Sequence, residues 1–84
     1  MPHKIKLYAI STCAWCKKTK KFLEEHGIAY DCDDVDLLEG EAKERAREDA
    51  ARFNPRKSYP TLVVDDEQVV VGFDEQRLRE VLGL

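Results

Sequence analysis

The chain has 84 residues, 43% hydrophobic and 37% charged, with a net charge of −3. That length fits one domain, residues 1–84, and its clustered apolar residues argue against a disordered chain. No apolar run approaches the roughly 20 residues of a membrane span, the first residues lack the pattern of a secretory signal, and a weak mixed-sign field gives no warrant for nucleic-acid binding. A cytoplasmic monomer is the expectation.

Lys4 to Ile10 begins with polar–apolar alternation and ends in the apolar Tyr8-Ala9-Ile10, which predicts a strand buried on both faces at its far end. Ser11 and Thr12 supply hydroxyls suited to capping a helix. Ala14 to His26 then reads as that helix, with Trp15, Thr19, Phe22, Leu23 and His26 on one face, Lys17, Lys20, Lys21 and Glu24 on the other, and Gly27 as its stop. Ile28 to Val35 predicts a second strand, parallel to the first through a right-handed crossover. Gly40 to Phe53 predicts a charged helix with a thin stripe of Ala42, Ala46, Ala50 and Phe53, stopped by Asn54-Pro55. Thr61 to Val64 and Gln68 to Val71 predict a hairpin across Asp65-Asp66-Glu67, and Asp74 caps a last helix with Leu78, Val81 and Leu82 inward. The order β-α-β-α-β-β-α predicts an α/β fold: a four-stranded mixed sheet with helices on both faces.

The chemistry is expected at Cys13-Ala14-Trp15-Cys16. A Cys-x-x-Cys pair is a zinc half-site, a redox dithiol or an inert pair. A closed zinc site needs four ligands, and only Cys32, His3 and His26 remain, none at a paired spacing, so no metal ligands are assigned. The strand–helix junction favours the dithiol. At the helix N-terminus, free N–H groups, the helix dipole and nearby Lys17 would lower the Cys13 thiol pKa. Cys16, one turn further in, would be the buried resolving thiol. Trp15 reads either as a core aromatic or as a substrate wall, and Cys32 as a small buried hydrophobe.

Cys13-Ala14-Trp15-Cys16, Ser58-Tyr59-Pro60-Thr61 and Val71-Gly72-Phe73-Asp74, in this order and spacing, resemble the glutaredoxin-like branch of the thioredoxin superfamily over nearly the whole chain. The resemblance implies a thioredoxin-like fold and a thiol–disulfide oxidoreductase or electron donor. It implies that Cys13 and Cys16 are catalytic, and that Pro60 follows a cis peptide bond facing Cys13. It also implies a substrate-binding rim of Thr12, Trp15, Tyr59, Pro60, Gly72, Phe73 and Asp74, where open N–H groups around Gly72 would hold the carboxylate end of glutathione. Many glutaredoxins have Pro and Tyr between the cysteines, where this chain has Ala14 and Trp15. A lysine that commonly contacts glutathione stands where this chain has Ile10, so the charge would come from Lys57 or Arg56.

Expected partners are a disulfide-containing protein or small molecule, with glutathione or thioredoxin reductase as electron source and no tightly bound cofactor. Three alternatives are an iron–sulfur cluster carrier using Cys13, a donor to ribonucleotide reductase recharged by thioredoxin reductase, and a redox-inert interaction domain.

Overall fold

The computed structural model describes residues 4–84; the reading of His3 lies outside them. Strand β1 (Ile5–Ala9) leads into helix α1 (Ala14–Glu25), then strand β2 (Asp31–Asp34) and a 3₁₀ turn at Val35–Leu37. Helix α2 (Gly40–Phe53), the hairpin of β3 (Thr61–Val64) and β4 (Gln68–Val71), and helix α3 (Glu75–Leu82) complete the chain. The sheet order is β2-β1-β3-β4, parallel between β1 and β2 and antiparallel elsewhere.

Two apolar clusters explain the layering. Ile5, Leu7, Ala9, Leu62, Val64 and Val70 meet Cys16, Phe22 and Leu23 of α1 and Leu78, Val81 and Leu82 of α3 on one face. Tyr8 and Val63 meet Ala50 of α2 on the other. The thin stripe of α2 matches this smaller contact, and Ala42 is exposed rather than part of it.

The second strand is shorter than the sequence predicts. Its register runs from Lys6↔Asp31 to Ala9↔Asp34. Ile28 lies in the turn after α1, where its N–H donates to the Leu23 carbonyl at 2.9 Å. Val35 enters the 3₁₀ turn instead of continuing the strand. At the hairpin, Asp65 and Asp66 both have positive φ (53° and 56°), the geometry that follows the right-handed strand twist.

The segment before β3 rests on a buried amide. Asn54, 3% exposed, donates through Nδ2 to the Ser58 carbonyl (3.0 Å), Ser58 Oγ (3.0 Å) and Thr61 Oγ1 (3.1 Å). Its own oxygen accepts from the Arg56 N–H at 3.2 Å. Asn54 therefore does more than end α2: it braces Ser58-Tyr59-Pro60 from beneath. Losing a buried multi-bonded amide costs about 1–3 kcal/mol. Asn54→Ala should lose that much in equilibrium denaturation; a change under about 0.5 kcal/mol, the scale of an ordinary surface substitution, would show that the brace carries no weight.

Candidate active site

The Cys-x-x-Cys motif sits at the β1–α1 junction. After β1 the chain turns tightly, with the Cys13 N–H donating to the Ile10 carbonyl at 3.0 Å. Ser11 is clamped to the 3₁₀ turn after β2: its N–H donates to Asp36 Oδ1 at 2.8 Å and its Oγ to Oδ2 at 2.5 Å. These bonds hold the Asp36 carboxyl below the usual carboxylate range. The Ser11 hydroxyl is thus spent on Asp36, and Thr12 is an exposed residue beside the thiol, so neither caps the helix. Cys13 does. It is the N-cap of α1, with extended backbone (φ −80°, ψ 121°), and its Sγ accepts the Cys16 N–H at 3.3 Å.

A sulfur at that position is offered hydrogen-bond donors and no competing anion, since the first turn of α1 holds no acidic residue. Partial burial pushes the Cys13 thiol up, but hydrogen bonds from the Cys16 thiol and the Cys16 and Trp15 N–H groups outweigh it, and the net pKa lies below that of an ordinary cysteine. These bonds, rather than the Lys17 charge expected from the sequence, produce the lowering; Lys17, Lys18 and Lys21 are exposed, and Lys20 is occupied by Asp34 at 2.8 Å. Cys16 is the opposite case. It is fully buried, and desolvation, followed by its hydrogen bond to the Cys13 sulfur, pushes its thiol up to about 12. Burial also raises Cys32, which is half-buried against the main core. All three cysteines are free thiols.

The remaining rim residues gather at the same end of the sheet. Thr61 pairs with Tyr8 of β1 and Val71 of β4, which carries Tyr59 and Pro60 alongside the Ile10–Cys13 turn. The Tyr59–Pro60 peptide bond is cis. Gly72 has φ +75°, which a side chain would strain, and its N–H is already given to the Pro60 carbonyl at 2.8 Å. That corrects the expectation of an open Gly72 N–H for a carboxylate. Asp74 caps α3 as predicted, accepting the Arg77 N–H at 3.1 Å.

Trp15 is 55% exposed, so it is not a core aromatic. Its ring stacks on Phe73 with centroids 6.3 Å apart, Lys18 Nζ sits 4.7 Å from its centroid, and Phe73 meets Phe22 edge-on at 6.2 Å. An exposed aromatic wall therefore stands beside Cys13. The structure thus brings together Thr12, Cys13, Trp15, Cys16, Tyr59, Pro60, Gly72, Phe73 and Asp74. Sequence reasoning missed the Ser11–Asp36 clamp and the Asn54 brace, because both depend on pairings across 25 and 4–7 residues that no local pattern signals.

The glutaredoxin family model matches residues 5–69, which include both cysteines and the Tyr59–Pro60 segment. The chain belongs to the glutaredoxin family. This glutaredoxin is similar to the Methanosarcina acetivorans methanoredoxin, with 49% identity, a TM-score of 0.93, and coverage of 96% of this chain and 85% of that one. It is also similar to a glutaredoxin of Archaeoglobus fulgidus, at 32% identity and a TM-score of 0.87 over 93% and 84% of the two chains. Among sequences, an uncharacterized glutaredoxin-like 8.6 kDa protein in the rubredoxin operon of Clostridium pasteurianum is 32% identical, over 93% of this glutaredoxin and 96% of that protein. The thioredoxin-like fold expected from the sequence is therefore that of its relatives. Among the described residues, no helix is long and apolar enough to cross a membrane.

Proposed function

We propose that this glutaredoxin is a thiol–disulfide oxidoreductase that reduces disulfides through a Cys13–Cys16 dithiol. The supporting observation is the split between the two thiols: a partly exposed Cys13 held low at a helix start, and a buried Cys16 raised to about 12 behind it.

In the cycle, the Cys13 thiolate attacks one sulfur of a substrate disulfide. A Cys13–substrate bond forms, the substrate S–S bond breaks, and the departing thiolate takes a proton from solvent. Cys16 then gives up its proton to solvent and attacks the Cys13 sulfur, releasing the second substrate thiolate. The substrate gains two electrons and the pair becomes a Cys13–Cys16 disulfide. An outside reductant, either two equivalents of a thiol such as glutathione or the dithiol of a thioredoxin reductase, returns both electrons.

The order of steps follows from the causes of the Cys16 shift. Apart from desolvation, Cys16 is raised by its bond to the Cys13 sulfur and by the Cys13 charge. Once Cys13 is tied up in a mixed disulfide, its charge is gone and both causes weaken. Cys16 therefore becomes easier to ionise only when there is a bond for it to resolve. The cycle calls on no tightly bound cofactor.

The deciding experiment equilibrates the protein with glutathione redox buffers and, in parallel, offers the oxidised protein to a thioredoxin reductase. Formation of an intramolecular Cys13–Cys16 disulfide, reversed by one of the two donors, is expected. A Cys pair that stays reduced in strongly oxidising buffer would defeat the reading.

A further inference from the structure

The bonds around Asn54 set the backbone that runs alongside the Cys13 turn. Asn54 ends α2, where its N–H still donates to the Ala50 carbonyl at 2.8 Å. Tyr59 and Pro60 lie between Ser58 and Thr61, and the asparagine bonds to both flanks at once. Its Nδ2 donates to the Ser58 carbonyl at 3.0 Å and to Thr61 Oγ1 at 3.1 Å, and Thr61 Oγ1 in turn donates to the Ser58 carbonyl at 2.9 Å. Amide nitrogen, hydroxyl and carbonyl thus close a triangle of hydrogen bonds that fixes the spacing of the two flanks.

Downstream, the sheet holds this segment: the Pro60 carbonyl accepts the Gly72 N–H at 2.8 Å, and Thr61 is in register with Tyr8 and Val71. Upstream, the tether is Asn54. The Tyr59 ring rests against both apolar clusters, yet apolar packing is non-directional, and hydrogen bonds are what fix a backbone in register. The loop between Asn54 and Ser58 needs support as well. Lys57 has φ +57°, a left-handed conformation that a residue with a long side chain keeps only when its surroundings impose it. Its N–H donates to the Asn54 carbonyl at 2.9 Å, and Asn54 Oδ1 accepts the Arg56 N–H at 3.2 Å. Main chain and side chain of one buried residue therefore shape the whole approach to Tyr59.

We propose that Asn54 is a positioning residue for disulfide reduction: with the Thr61 hydroxyl, it holds the Tyr59–Pro60 backbone in the register that lets a substrate chain present its sulfur to Cys13. The proposal rests on the reductase reading and adds a residue that touches neither substrate nor sulfur. Small misplacements of such a segment are costly, because attack tolerates little error in distance and angle. The Cys13 thiol itself does not depend on Asn54, since the donors to its sulfur belong to α1.

The test uses pre-reduced protein in single turnover with a disulfide-bonded synthetic peptide and with hydroxyethyl disulfide, which has no chain to lay along Tyr59–Pro60. Every assay runs well below the Tm of the variant in hand. Asn54→Ala should reduce the peptide roughly tenfold or more slowly and hydroxyethyl disulfide at the parent rate, with the rate and pH midpoint of Cys13 alkylation unchanged. Thr61 separates hydrogen bonding from packing. Thr61→Val keeps the shape, loses the hydroxyl and should share the defect. Thr61→Ser loses a buried methyl, keeps the hydroxyl and should reduce the peptide at the parent rate. A role in packing alone predicts the reverse order. Leu23→Ala, destabilised without loss of these bonds, should keep both activities. Parent rates on the peptide in Asn54→Ala or Thr61→Val, equal losses in Thr61→Val and Thr61→Ser, or an equal loss on both disulfides would overturn the proposal. Parent protein that reduces neither disulfide would defeat the reductase reading and this role with it, an outcome visible before any variant is made.

Discussion

Replacing Cys13 with serine should abolish disulfide reduction, by on the order of a thousandfold or more, since a hydroxyl neither ionises near neutrality nor forms the mixed disulfide. The change is nearly isosteric, and an oxygen can still accept the Cys16 N–H at the helix cap, so the fold should survive. Cys16→Ser should behave differently. Its buried thiol attacks second, so without it the first step proceeds and the substrate stays attached to Cys13. Mass spectrometry should find that adduct on Cys16→Ser and not on Cys13→Ser. A reversed pattern, with adducts on Cys16 in the Cys13→Ser protein, would reassign the nucleophile. Cys32→Ser should leave turnover intact, because burial raises that thiol and it lies at the sheet edge beside Asp34.

The largest stability effect is expected at Leu23. It is fully buried on α1, in the cluster that joins α1 and α3 to the sheet. Leu23→Ala removes apolar contacts and leaves a cavity, at a cost of about 2–5 kcal/mol. For a domain of this size each kcal/mol lowers Tm by roughly 4–8 °C, so a fall of at least 8 °C is expected in thermal denaturation. The loss should show as a lower Tm while disulfide reduction persists well below it, because Leu23 touches neither sulfur's hydrogen bonds. A Tm within 2 °C of the parent protein would mean that the α1 face is not held by this packing.

How much of this was legible in the sequence depended on how local the cause was. Helix α2, the β3–β4 hairpin, the Asp74 cap and the Gly27 stop follow from spacing, β-branched runs and single capping residues, and their positions agree. The limits of β2 do not follow from its own residues, since they depend on register with β1 and on the turn that Asp36 anchors. Ile28 looked like strand because it is apolar, yet its burial comes from packing a turn against the core. The helix cap was misplaced for a related reason. Ser11 and Thr12 have the right hydroxyls, but a carboxylate 25 residues away claims Ser11, and the sulfur itself takes the capping role. Trp15 fell at an inward helical spacing, yet in the first turn that face is the rim of the site rather than the core.

Reduction by this dithiol needs Cys13 to ionise before Cys16 and Cys32. The folded state lowers the Cys13 pKa, so the thiolate should appear, and alkylation should accelerate, as pH rises through a midpoint below that of an ordinary cysteine. Cys16 should remain protonated until near 12. The direct measurement is the ultraviolet absorbance of thiolate against pH for the reduced protein, with alkylated residues mapped by mass spectrometry at each pH. One early transition that maps to Cys13 alone is the predicted result. A Cys13 midpoint at or above that of free cysteine, or an early transition that maps to Cys16 or Cys32, would contradict it.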